Sequence, residues 1–133
     1  MSGGPEAGGG SGPAIDAAAF ANLLEMTGGD VEFVDDLVDT YLEEGVTLID
    51  RLRTAASAGD GATDDLLRAA HSLKSSSLNV GALQLGELCR ALEADARGGS
   101  VVEPGPRVDA IASGFDDVSA ALLAEREERR TGG

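Results

Sequence analysis

The chain has 133 residues, enough for one ordinary domain and too few for two, and 42% of them are hydrophobic. Ten basic residues against 24 acidic ones give a net charge of −14, which excludes a nucleic-acid or anionic-membrane surface built from clustered Lys and Arg. No apolar run approaches the ~18 residues of a membrane span, and the single cysteine, Cys89, excludes an intrachain disulfide framework and fits a reducing, cytoplasmic setting.

Residues 1–13 are Gly- and Pro-rich and read as a flexible low-complexity tail ahead of a domain over residues 14–130. Asp16 suits the N-cap of a short helix to Met26, with Phe20, Leu23 and Leu24 on its apolar face, and Thr27-Gly28-Gly29 ends it. Asp30 caps a long second helix to about Ala58. There Val31, Val34, Leu37/Val38, Tyr41/Leu42, Leu48/Ile49 and Leu52 keep the 3.6-residue period, and Gly45 is a weak point suited to a bend. Ser57 to Gly61 forms a turn. Thr63 caps a third helix to Asn79, with Asp64 and Asp65 placed where the helix dipole favours them.

Gly81 closes a connection so short that the fourth helix, Ala82 to Arg97, returns antiparallel to the third. Leu85, Leu88, Cys89, Leu92 and Ala96 form its buried stripe. Gly98-Gly99-Ser100 breaks the chain, and Pro104 and Pro106 suit the first turn of a fifth helix to Arg130. Val108, Ile111, Phe115, Val118 and Leu122 give its inner face. These elements predict an all-α fold, an antiparallel four-helix bundle with a short additional N-terminal helix.

The only histidine and the only lysine stand three residues apart, in His71-Ser72-Leu73-Lys74. On a helical wheel Leu66, Ala69, Leu73 and Val80 fall opposite His71, whereas Leu67, Arg68, Lys74, Ser75 and Leu78 share its face. His71 is therefore expected to point outward, between two leucines that suggest a docking surface, with the small Ser75 leaving room for a partner to reach the ring. Between Leu66 and Arg97 the local charge is +1, so the remainder of the chain carries −15. An ordinary surface histidine fits the wheel equally well. One His and a distant Cys do not make a metal site. Neither a nucleophile elbow nor a Gly-rich phosphate loop is present. Ser75-Ser76-Ser77 reads as small-residue helix packing, and Asp35-Asp36 and Glu43-Glu44 as solvated faces.

Ala70 to Ala82, with Leu88-Cys89-Arg90-Ala91-Leu92-Glu93, resembles the core signature of histidine-containing phosphotransfer domains. The His-to-Lys, Lys-to-Gly and Leu-Cys spacings agree in one register over about 25 residues, and the helical layout is compatible over residues 14–128. The resemblance implies a phosphocarrier without an ATP site, in which His71 accepts and donates a phosphoryl group and Lys74 neutralises its charge. It implies that Glu93 orients the imidazole and that Arg97 assists docking or the phosphoryl charge. Leu67, Arg68, Ser75 and Leu78 would form the docking face. The expected partner is the receiver domain of a response regulator or hybrid histidine kinase. The Mg²⁺ would sit on that partner, so the chain has no cofactor or metal of its own, contacts neither nucleic acid nor membrane, and acts as a monomer. Many family members carry Gly where this chain has Ser75, a departure that implies slightly altered docking. The alternative is a helical adaptor that docks a receiver or kinase without being phosphorylated; keeping both His71 and Lys74 argues against it.

Overall fold

The computed structural model describes residues 14–58 and 63–131, so the expected tail over residues 1–13 lies outside the described residues, as does most of the Ser57–Gly61 turn. Its helices are α1 (Ala17–Met26), α2 (Val31–Ser57), α3 (Thr63–Asn79), α4 (Leu83–Arg97) and α5 (Pro104–Thr131). Local chemistry starts two of them as expected. The Asp16 carboxylate accepts from the Ala19 N–H at 2.8 Å, and the Asp30 carboxylate accepts from the Phe33 N–H at 3.1 Å. Each satisfies a backbone donor that the first turn leaves unpaired.

Helices α2 to α5 pack in a ring, α2 on α3, α3 on α4, α4 on α5 and α5 back on α2. Every neighbouring pair runs antiparallel. Tyr41 meets Ser77, His71 meets Glu93, Asp95 meets Arg107, and Arg53 and Asp39 of α2 meet Asp109 and Arg126 of α5. The centre is filled by Val34, Val38 and Leu52, by Leu73, by Leu85 and Leu92, and by Ile111, Val118 and Leu122. No described helix is long and apolar enough to cross a membrane.

The short α1 is seated on the α3–α4 turn. The Asp16 N–H donates to the Gly81 carbonyl at 2.8 Å, and a Cβ at Gly81 would stand 3.2 Å from the Phe20 nitrogen. Gly81 also has a φ of +84°, so two constraints require glycine there: backbone handedness and the close approach of α1.

Three expectations about faces are corrected. Val31 is 43% exposed and Leu88 is 42% exposed, although both follow the apolar period of their helices. Val31 is the first residue of α2, where the helix has not yet met its neighbours. Leu88 stands at the margin of α4, against Gly114 of α5, because α4 is rotated to bury Gly86 and Glu93 on its other flank. Gly45 does not weaken α2. It is buried in an uninterrupted helix, and a Cβ there would overlap the Phe115 ring, which packs against Tyr41 with centroids 5.5 Å apart. The glycine is a notch for an aromatic side chain.

An alanine at an open helical position is expected to add stability, because glycine costs about 1 kcal/mol of helix propensity. Val46→Ala, at a position 58% exposed on α2 where a β-branched residue costs helix propensity relative to alanine, should leave the melting temperature unchanged or raise it. Gly45→Ala should lower it, since overpacking costs about 1–3 kcal/mol and outweighs the propensity gain. Thermal melts of the two variants check this, and a stabilised Gly45→Ala would contradict the notch.

Candidate functional site

The α3–α4 pair builds the site. Helical periodicity puts His71, Lys74, Ser75 and Leu78 on one side of α3, and α4 presents Glu93 and, one turn later, Arg97 to the same side. The turn at Gly81 sets the register of the two helices, so that position 71 faces position 93.

Glu93 is the centre of the cluster. Its side chain is only 6% exposed, yet three donors converge on it. The His71 Nδ1 lies 2.8 Å from Oε2, the Arg97 Nη2 donates to the same oxygen at 2.6 Å, and the Lys74 Nζ stands 2.8 Å from Oε1. Burial alone would favour the protonated acid. The Lys74 ammonium beside it outweighs that, and with the hydrogen bonds from His71 and Arg97 it holds the Glu93 carboxyl down at about 2. The group is an anion at any physiological pH, and two cations on one carboxylate leave the cluster net positive.

His71 keeps its other edge open. The side chain is 57% exposed, and among the described residues Nε2 has no hydrogen-bond partner. Because a carboxylate only accepts, the His71 Nδ1 must be the donor, and in the neutral ring the lone pair then resides on Nε2. The arrangement presents an oriented, accessible nucleophilic nitrogen beside positive charge.

The remaining site residues divide. Ser75 is exposed on the His71 face. Leu78 is 44% exposed and lies against Gly86, where a Cβ would come within 2.5 Å of its Cδ2. Arg68 is exposed and paired with Asp64 at 3.1 Å. Leu67 differs from expectation: it is half-buried and packs against the core, since α3 is flanked on both sides and its apolar face is wider than a narrow stripe. The small-residue reading of Ser77 holds, with an addition. Ser77 is fully buried and its hydroxyl is hydrogen-bonded to the Tyr41 hydroxyl at 2.9 Å, which pins α3 to α2 six residues from His71. Sequence reasoning missed Gly86, which lets α4 approach α3. The available signal was its spacing, two helical turns before Glu93 on the same face.

This geometry is matched by comparison with known proteins. The family model of the Hpt domain matches residues 36–121, from α2 through α5, with His71 and Glu93 inside the match. The chain belongs to the Hpt domain family. Among solved structures it is similar to histidine-containing phosphotransfer protein B (HptB) from Pseudomonas aeruginosa PAO1. The TM-score is 0.78 at 29% identity, over 89% of this chain and 98% of that one. No curated protein sequence matches the chain. The Hpt domain serves histidine phosphotransfer in phosphorelay signalling, as a carrier rather than a kinase, and interacts with receiver domains or kinases.

The low Glu93 value has a consequence for stability. A carboxyl whose folded-state value lies below its unfolded one stabilises the fold above the unfolded value, and that contribution is lost as pH falls through the folded one. The stability gap between the wild-type Hpt domain and Glu93→Gln should therefore be full above about pH 5 and close between there and about pH 2. Denaturant midpoints across that range measure it; a gap independent of pH would show that the carboxylate charge is not what stabilises the site.

Proposed function

We propose that His71 is the phosphoacceptor of this Hpt domain, shuttling a phosphoryl group between receiver-domain aspartates in the cytoplasm. The observation that carries the reading is the His71–Glu93 hydrogen bond at 2.8 Å, because it commits the proton to Nδ1 and leaves Nε2 to react.

The Nε2 lone pair attacks the phosphorus of an aspartyl phosphate on the receiver. The N–P bond forms as the P–O bond breaks, and the electron pair leaves on the receiver's carboxylate. The imidazole keeps its Nδ1 proton, so the phosphorylated ring carries a positive charge that the Glu93 carboxylate faces. That charge makes the ring a good leaving group in the onward step, when a second aspartate takes the phosphoryl group. Imidazole suits such a shuttle because its neutral and protonated forms interconvert near neutral pH.

Phosphoryl transfer depends on positioning and charge neutralisation more than on covalent assistance. Lys74, one turn from His71, and Arg97 supply the positive charge, exchanging part of their contact with Glu93 for the phosphoryl oxygens. The receiver docks over Ser75 and Leu78, with Arg68 at the margin and Leu67 supporting the surface from below. The Mg²⁺ of the reaction belongs to the receiver, and the carrier uses no ATP site and no cofactor of its own. One monomer presents one site. A docking adaptor that is never phosphorylated is not favoured, since it has no use for a histidine whose tautomer is set by a buried carboxylate.

His71→Gln should keep the helical circular dichroism and melting behaviour while losing all acid-labile phosphate after incubation with a phosphorylated receiver. Residual acid-labile label on that variant would overturn the assignment. Ser75→Leu should raise the receiver dissociation constant by keeping the partner off the ring, whereas Ser75→Gly should transfer normally. Stopped-flow transfer rates at increasing receiver concentration separate these outcomes. A Ser75→Leu variant that docks and transfers like the wild type would place the docking surface elsewhere.

A further inference from the structure

The family match covers residues 36–121, so α1 stands outside it. Yet α1 is anchored beside the site, because the Asp16 N–H donates to the Gly81 carbonyl at 2.8 Å and Phe20 is buried. We propose that α1 is a selectivity element for the receiver. With α2 and α3 it walls an apolar groove that takes one large apolar side chain of the docked receiver, beside a cation that faces Glu44. The proposal rests on the receiver-docking reading above and names the chemistry that the partner must bring.

The groove has a volume of about 490 Å³. Leu23 and Met26 line it from α1, Leu37 from α2 and Leu78 from α3, over a floor of Tyr41 and Val80. The floor is buried, whereas Met26 is 76% exposed and Leu78 is 44% exposed. Single exposed apolar side chains are ordinary, but several converging on one concavity with a polar rim mark a contact surface. The shape follows from how α1 is held. Its first turn is tied to Gly81 and its end leads into α2 through the Thr27–Asp30 turn, so Leu23 and Met26 stand across the groove from Leu78.

Continuity and charge name the occupant. Leu78 lines the groove and shares the face of His71, two helical turns or ~10 Å along α3. An interface of ordinary size buries about 800 Å² per partner, so a receiver with its aspartyl phosphate at Nε2 also covers the groove. A helix of that partner can lay an apolar side chain between α1 and α3. Glu44 lines this groove and the adjoining one, which runs past Glu43 to Ser72. Neither carboxylate has an ion-pair partner among the described residues, so a Lys or Arg of the receiver meets both unneutralised. A second copy of the chain fits poorly, because it would set −14 against −14. Residues 1–13 fit no better, with Met1 as their one large apolar side chain.

The test takes every receiver domain of the source organism, phosphorylated with acetyl phosphate, against the wild type, Met26→Asp, Glu44→Lys and the control Leu123→Asp on α5. All three positions are exposed, so the substitutions spare the core, and circular dichroism verifies the fold. With the fastest receiver, Met26→Asp should raise the concentration for half-maximal transfer about tenfold, the loss expected of a buried contact residue. Its maximal rate should stay at the wild-type value. Glu44→Lys should raise that concentration about threefold at low salt, and the difference should fade at high salt. Met26→Asp should also narrow the spread of transfer rates across the receivers, and Leu123→Asp should match the wild type. Labelling of His71 by phosphoramidate, which needs no docking, should be equal in all four proteins. Wild-type concentration dependence in both Met26→Asp and Glu44→Lys would overturn the proposal. So would a loss shared equally by every receiver, which would make α1 a general support rather than a selector. A wild type that sediments as a dimer while Met26→Asp is a monomer would hand the groove to a second copy. Failure of the phosphoacceptor reading would look different, as acid-labile label surviving in His71→Gln.

Discussion

The site depends on one carboxylate shared among three side chains. Glu93 is nearly inaccessible to water, and an isolated charge there would be costly. It remains ionised because His71 and Arg97 donate hydrogen bonds to one carboxylate oxygen and the Lys74 ammonium stands 2.8 Å from the other as an ion pair. Those three side chains come from two helices, so the same interaction that makes the anion tolerable also joins α3 to α4 and orients the ring. Removing any one partner changes the charge felt by the other two, and the four residues behave as a unit.

That unit requires a rigid platform, which is provided by close packing at small residues. Gly81 brings α1 onto the α3–α4 turn, Gly86 receives Leu78, and Gly45 receives Phe115. In each case a hydrogen where other residues carry a methyl group lets two elements approach more closely than side chains permit. The Tyr41–Ser77 hydrogen bond adds a polar lock between α2 and α3, satisfied on both sides and buried. α2, α4 and the turn hold α3, and with it His71, from three sides.

Charge distribution serves the same end at longer range. The chain carries −14 overall, but the α3–α4 segment around His71 is close to neutral and its nearest cations converge on Glu93. The α3–α4 face thus sets a positive cluster beside Nε2 inside an acidic molecule, so an anion is favoured at that place over the rest of the surface. Arg68 and Arg90, each paired within its own helix, contribute to that field without being committed to the ring.

The sequence by itself determined the helices, their caps and the outward position of His71, because helical periodicity, Asp16, Asp30 and the glycine breaks are all local signals. The one-register agreement of the His71, Lys74, Gly81 and Cys89 spacings is likewise written along the chain, and it carries the resemblance to phosphotransfer domains. Tertiary structure decided what depends on how one helix is rotated against another. A period identifies the centre of an apolar face but not its width, so Leu88 and Val31 read as buried and are exposed, while Leu67 read as exposed and is half-buried. Gly45 reads as a weak point until Phe115, 70 residues later, fills the space above it. The helical period alone does not separate Glu93 from a solvated surface glutamate, and only the resemblance of its motif singled it out. It becomes a buried anchor only because Gly86 and the Gly81 turn bring α4 against α3 in the register that supplies all three of its donors, a relation between helices that no local pattern along either of them contains.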